Sequence, residues 1–344
     1  MLHIQIVLFD GFDLLDAIGP YEVFCAAGMF AGEGKVTVEL VSAEGAREVP
    51  SGMNGPAIAA THWLDPYRPG IIVVPGASGH LQGEGVQTVP MLLAKATETP
   101  LAGLLKQAME QKDTTIATVC GGSILLAMEG LLDGRYAVTN HLGMEVLQAA
   151  GAIPVQARVV EDGRLVTGGG VTSGLDVALY LVERELGPQI SHAVEQLFEY
   201  ERRGTVWRSS GITPVVGNRE DEIGNGDDAD HEPASRHGNV AAFEGTWDIL
   251  ITTPIGKLSV QLEITSEQGQ ISGVARQGND IVRFKDPAIL DDRLTWSQQV
   301  TKPMRLNLKF DVAVAGDQMS GVAKAGKLPA SKLTGVRVQH EQGR

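Results

Sequence analysis

Thr114-Thr115-Ile116-Ala117-Thr118-Val119-Cys120-Gly121-Gly122-Ser123-Ile124-Leu125-Leu126-Ala127 passes from a β-branched run to a helical run through one cysteine and two glycines. A β-branched, mostly apolar run marks a buried strand of a parallel sheet. The two glycines let the backbone turn sharply and leave its N–H groups uncovered. Ser123 is then placed to cap a helix whose apolar face is Ile124, Leu125 and Met128. This reading sets the Cys120 thiol on a strand-to-helix elbow, where the helix N-terminus favours the thiolate. The same residue also suits a buried cysteine that packs as a small hydrophobe.

Working outward, residues 4–9, 36–41 and 71–74 read as further strands, and 57–60 as a short one. Pro20 fits the first turn of a helix running through Glu22-Val23-Phe24-Cys25. Residues 100–112 form a helix with Leu101, Leu104, Leu105 and Ala108 on one face. Beyond the elbow come a short strand at 136–139, part of a helix at 145–150 and a hairpin around Asp162-Gly163. Helices at 175–185 and 190–202 follow. Strand–helix alternation of this kind predicts an α/β domain, a parallel sheet with helices on both faces. Sites in such sheets form beyond the carboxyl ends of the strands. The loops carrying Asp16, Gly76 and Cys120 all follow apolar strands, and their convergence favours a reactive Cys120.

The pattern breaks after Trp207. Residues 208–240 gather Glu220, Asp221, Glu222, Asp227, Asp228, Asp230 and Glu232 with little apolar periodicity, and read as an acidic flexible linker. From 241 to 340 the period changes to two. Eight short strands separated by turn formers predict an antiparallel meander closing into a small β-barrel. The expected organisation is therefore a domain over 1–207, the linker, and the barrel.

Composition narrows the function classes. The 344 residues carry 42 Asp+Glu against 28 Lys+Arg, a net charge of −14, which argues against a nucleic-acid or anionic-membrane partner. Hydrophobic residues make up 43%, enough for sizeable cores. The 2 cysteines, Cys25 and Cys120, exclude a disulfide framework and a cysteine-rich zinc site. Among the 8 histidines there is no HxH or HExxH spacing, so no metal and no cofactor is expected. The apolar opening is ended by Asp10 without a basic lead, and no apolar stretch approaches the roughly 20 residues of a membrane span. A cytoplasmic protein acting on a small molecule is the expectation.

Asp16 has two readings: a helix-capping carboxylate, or the proton donor and acceptor that a cysteine nucleophile needs. Asp13 is the more exposed neighbour. Gly76-Ala77 after a strand forms a backbone nest, with successive N–H groups turned toward developing negative charge. His141, in Thr139-Asn140-His141, follows a strand and is placed to approach the elbow, with Asn140 beside it. Thr172 and Ser173 suit a helix cap better than a nucleophile, and Thr172 is the one kept among the substrate-binding candidates.

Four motifs resemble the DJ-1/PfpI superfamily, which is class I glutamine amidotransferase-like. They are Asp16-Ala17-Ile18-Gly19-Pro20-Tyr21-Glu22-Val23-Phe24, Val74-Pro75-Gly76-Ala77, Thr118-Val119-Cys120-Gly121-Gly122, and Gly168-Gly169-Gly170-Val171-Thr172-Ser173-Gly174-Leu175-Asp176. The resemblance covers residues 1–207. Within the superfamily the chain looks like isonitrile hydratase-like proteins and the amidase-like domain of some AraC-type regulators, without the regulators' DNA-binding helices. It implies a flavodoxin-like fold and a homodimer through this domain. It also implies a lyase (hydro-lyase) activity: the Cys120 thiol attacks an isonitrile carbon, Asp16 handles the proton, and an N-substituted formamide results. Gly76, Ala77 and Gly121 would offer backbone N–H groups to the intermediate, and Asn140, His141 and Thr172 complete the candidate oxyanion and substrate contacts. The chain departs from the pattern at Gly121, where isonitrile hydratases carry Thr. It departs again at Val138-Thr139-Asn140-His141, where they carry Thr-Thr-His-Trp. No histidine follows Cys120, which argues against a peptidase. Two other expectations stand beside this one: a glyoxalase-like or redox-sensing thiol, and a non-catalytic ligand-binding protein using the barrel. Gly245-Thr246-Trp247 and Arg337 give that barrel a short resemblance to lipocalin- and avidin-type barrels.

Overall fold

A computed structural model describes residues 1–52, 54–80, 87–212, 240–253, 256–267, 270–277, 280–290, 292–300, 306–325 and 330–338. Nearly all of the acidic stretch read as a linker lies outside the described residues. The first part runs β1 (Leu2–Leu8), α1 (Leu14–Ala31), β2 (Val36–Ser42), β3 (Arg47–Pro50), β4 (Ala57–Ala60), β5 (His62–Trp63), β6 (Gly70–Val74), α2 (Val89–Thr97) and α3 (Leu101–Glu110). It continues through β7 (Thr114–Thr118), α4 (Gly122–Met128), β8 (Tyr136–Ala137), α5 (Met144–Ala149), β9 (Ile153–Pro154), β10 (Val159–Asp162), β11 (Leu165–Gly168), α6 (Ser173–Leu186), α7 (Pro188–Phe198) and β12 (Trp207–Arg208).

An 8-stranded sheet has the order β12-β10-β11-β7-β6-β1-β2-β5. Only the β10–β11 hairpin is antiparallel; the other neighbours pair parallel. β7 is buried along its whole length, and β6 and β1 along most of theirs, which is why their sequences are Ile, Val and Thr runs rather than alternating ones. Helices α1, α6 and α7 pack together, as do α2, α3 and α4. The result is a flavodoxin-like α/β layer structure. The chain leaves the carboxyl ends of β1, β6 and β7 at Phe9, Pro75 and Val119, on one edge of the sheet.

Several local expectations need correction. α1 begins at Leu14 and carries Pro20 in its interior; the cap is Asp13, whose carboxylate accepts from the Leu15 and Asp16 N–H groups. A good N-cap outweighed the proline signal. α1 also reaches 18 residues and is apolar enough to pass as a membrane span by length and composition, contrary to the sequence reading. Its Asp16, Val23 and Phe24 are nonetheless buried in the fold, as in a core helix. Helix α2 was not expected, although Pro90 at the head of a Leu- and Ala-rich stretch is a helix-start signal.

The second part contains β13 (Gly245–Thr253), β14 (Gly256–Glu267), β15 (Gln270–Gln277), β16 (Asp280–Arg283), β17 (Lys285–Leu290), β18 (Arg293–Val300), β19 (Leu306–Ala315), β20 (Gln318–Lys324) and β21 (Ser331–Arg337). Each strand pairs antiparallel with its sequence neighbour except β16 with β17, and β21 returns to β13. The sheet is a nearly closed barrel of 9 strands rather than eight. β17 escaped the reading because Pro287 interrupts its alternation, and a bulge between Lys285 and Ala288 absorbs it. Trp247 is fully buried, donates from Nε1 to the Phe243 carbonyl at 2.9 Å, and lies under the Arg337 guanidinium at 4.1 Å. That guanidinium also donates to the Ala242 carbonyl at 2.8 Å, so Arg337 ties the last strand to the segment before the first. Phe284, Trp296 and Phe310 stack at 4.3 and 4.5 Å in the same interior.

Candidate active site

The elbow forms as its sequence suggests, but by a different backbone route. Val119 N–H donates to the Val74 carbonyl at 3.0 Å and Cys120 N–H to the Gly168 carbonyl at 3.2 Å, so the turn hangs from β6 and β11. Cys120 itself takes the left-handed conformation, φ 54°, while Gly121 is right-handed at φ −68°. A side-chain-bearing residue in that region costs about 1–3 kcal/mol and recurs at functional sites. The glycines therefore serve close approach rather than the turn. A Cβ on Gly122 would overlap the Val74 carbonyl oxygen and lie 3.1 Å from the Pro75 oxygen. Because both are backbone atoms, Gly122→Ala should cost about 3 kcal/mol or more, read as a fall in the urea midpoint. An unchanged midpoint would show that the elbow can relax.

Ser123 does not cap. It lies one residue inside α4, fully buried, bonded to Thr118 Oγ1 at 2.6 Å and donating to the Val138 carbonyl at 2.7 Å. The Val138 N–H donates to Thr167 Oγ1 at 2.9 Å, and Thr139 Oγ1 donates to the Cys120 carbonyl at 2.6 Å. Sequence reasoning passed over these hydroxyls. The available signal was that a Thr inside a buried strand must find a partner.

Asp16 sits in the first turn of α1 with no exposed surface. Its Oδ2 accepts the Gly76 N–H at 2.9 Å, and its Oδ1 has no hydrogen-bond partner. Burial, and then the neighbouring Asp13 charge, push this carboxyl up to about 8, against the pull of the Gly76 N–H and the Cys120 thiol. Burial and then the Asp16 charge push the Cys120 thiol up to about 12. The Gly121 N–H and the Asn140 side-chain amide act on the sulfur in the opposite sense. The thiolate expected from the helix terminus is thus overruled by burial and by the carboxyl. The two groups titrate as one buried pair.

This has a consequence for stability. Asp16 keeps a proton in the folded chain between about pH 4 and about pH 8, where the unfolded chain has released it. Its stabilising contribution is complete below the unfolded value and is lost as pH rises through the folded one. The thermal midpoint of Asp16→Asn should therefore gain on that of wild type between about pH 5 and about pH 9. A constant difference across that range would contradict a raised Asp16.

The backbone cradle is narrow. A Cβ on Gly76 would meet the Gly121 N at 2.5 Å and Asp16 Oδ2 at 2.9 Å. The Ala77 N lies 3.7 Å from a Cβ built on Gly121. Gly76, Ala77 and Gly121 are thus gathered around the pair. That Gly121 Cβ would also stand 3.3 Å from Leu93 Cδ1 of α2 and 3.4 Å from the Gly76 Cα, so a side chain at 121 would require the Leu93 side chain to give way slightly. The Asn140 side chain faces the Cys120 thiol and opposes its upward shift, and its Oδ1 accepts the Leu142 N–H at 3.1 Å. His141 is exposed in the following 3-10 turn and has no part in this arrangement. Thr172 is exposed and accepts from Arg158 at 3.0 Å, without capping α6. Arg158 holds the buried Asp176 at 2.5 Å, an ion pair the sequence reading did not find. Among the described residues no three His, Cys, Asp or Glu side chains gather to hold a metal.

The fold and the buried elbow cysteine define a class of flavodoxin-like domains with a cysteine at the turn after a central strand. This chain belongs to the DJ-1/PfpI family, whose model matches residues 3–184. It is 32% identical to isonitrile hydratase of Pseudomonas putida over 201 residues, 58% of this chain and 78% of that protein. It is 26% identical to the HTH-type transcriptional regulator CdhR of Pseudomonas aeruginosa over 56% of this chain, and spans 53% of that regulator. A solved ThiJ/PfpI family protein from Pseudomonas syringae is 24% identical, with 59% of this chain and 76% of that one aligned at a TM-score of 0.49.

Proposed function

We propose that this protein hydrates an isonitrile to an N-substituted formamide, with Cys120 as nucleophile and Asp16 as general acid and base. The observation that carries the reading is the buried Cys120–Asp16 pair set against the Gly76, Ala77 and Gly121 backbone. The similarity to isonitrile hydratase supports it. Below about pH 8 both groups hold their protons. The thiol sulfur bonds to the isonitrile carbon, Asp16 gives its proton to that carbon, and the carboxylate takes the proton leaving the sulfur. The product is a thioimidate, R–N=CH–S–Cys120. Water then adds to the carbon, the C–S bond breaks, and the formamide leaves with the thiol restored.

Asp16 is suited to this exchange because its two oxygens differ. Oδ2 is tied to Gly76, while Oδ1 has no hydrogen bond to give up when a proton moves. The Gly121 and Ala77 N–H groups stabilise charge on the tetrahedral carbon's substituent. The absence of a hydroxyl at 121 leaves this work to backbone donors. The test is formyl-proton NMR of purified protein with a panel of alkyl and aryl isonitriles. Formamide should accumulate with turnover, and no turnover across the panel would refute the assignment.

A further inference from the structure

The segment 138–140 is fastened on three sides by buried hydroxyls: Ser123 on the Val138 carbonyl, Thr167 on its N–H, and Thr139 on the Cys120 carbonyl. Cys120 is strained, and its carbonyl is held by a hydroxyl that is itself 2% exposed. One residue further on, the Asn140 side chain acts on the Cys120 thiol against its upward shift. We propose that Thr139 is a positioning residue: its hydrogen bond to the Cys120 carbonyl holds the elbow in its left-handed form and thereby seats the Asn140 amide on Sγ. The inference rests on Cys120 being the reactive group, but not on which electrophile it meets.

The arrangement separates two jobs at adjacent positions. Thr139 bonds the Cys120 backbone carbonyl, and the Asn140 side chain acts on the Cys120 thiol. The titratable or charged groups facing Cys120 are Asp16 in α1 and Asp13 at its cap. Neither belongs to the 138–140 segment, so a change made there reads out through Asn140 rather than through a new charge. Ser123 and Thr167 fix Val138 independently, which keeps the segment's path when Thr139 alone is altered.

The experiment is alkylation of the full chain by iodoacetamide at one fixed pH of about 9, with peptide mass spectrometry resolving Cys120 from Cys25. Thr139→Val keeps shape and removes the donor; its Cys120 rate should fall about tenfold, the effect of a one-unit rise in the thiol's titration point. Thr139→Ser should restore the rate to near wild type. Asn140→Ala should reproduce the fall, and adding Thr139→Val to it should lower the rate no further. The proposal is overturned if Thr139→Val alkylates like wild type, if Thr139→Ser behaves like Thr139→Val, if Asn140→Ala leaves the rate unchanged, or if the two effects add in full. Alkylation needs no isonitrile, so failure of the hydratase assignment leaves this test standing.

Discussion

Cys120→Ala is expected to reduce formamide formation by about 10⁴-fold or more while leaving the fold intact, because removing a covalent nucleophile removes the step itself. The substitution deletes one buried sulfur, 9% exposed, from the turn and leaves the backbone bonds to Val74 and Gly168 in place. Loss of a small buried group of this kind costs on the order of 1–2 kcal/mol. Circular dichroism and the urea midpoint should therefore show a folded chain, while formamide falls to the background rate. Turnover within a factor of ten of wild type would place the chemistry elsewhere. Cys25 is the other free thiol, half-buried in α1 and facing Tyr21 four residues earlier, and Cys25→Ser should leave turnover unchanged.

The second large effect belongs to Asp16. Asp16→Asn should lower turnover by about 10²–10⁴-fold, the span of a general acid–base contribution. The amide oxygen still accepts the Gly76 N–H, so the loss reports proton transfer rather than a broken contact. Wild-type turnover should decline as pH rises through about 8, since the proposed mechanism delivers the Asp16 proton to carbon. The variant's residual rate should lack that limb. A wild-type profile flat through about pH 8 and falling only at higher pH would assign the acid to another group.

Much of this was legible in the sequence, for identifiable reasons. The apolar runs at β1, β6 and β7 are buried on both faces of a parallel sheet and read as such without tertiary information. Their shared polarity brings the loops of Asp16, Gly76 and Cys120 to one edge, so the meeting of these three residues followed from topology. The electrostatics did not follow. A helix terminus and a glycine pair suggested a low thiol pKa, but the degree of burial and the proximity of Asp16 are properties of packing. His141 was the residue placed to approach the elbow, with Asn140 only beside it; which of the two turns inward depends on the Thr139 and Asn140 hydrogen bonds. Leu93 was invisible for the same reason, since α2 lies about 30 positions before Gly121 in a stretch read without a helix. The barrel was readable from its period of two, and its missed ninth strand is the one broken by Pro287.

The most direct measurement is intact-mass spectrometry of wild-type protein quenched with acid during turnover of an alkyl isonitrile, followed by peptide mapping. The account predicts a species heavier by one isonitrile molecule, with the added mass on the Cys120 peptide and absent from Cys120→Ala. Formamide production with an unmodified Cys120 peptide at every quench time, and with turnover retained in Cys120→Ala, would contradict it.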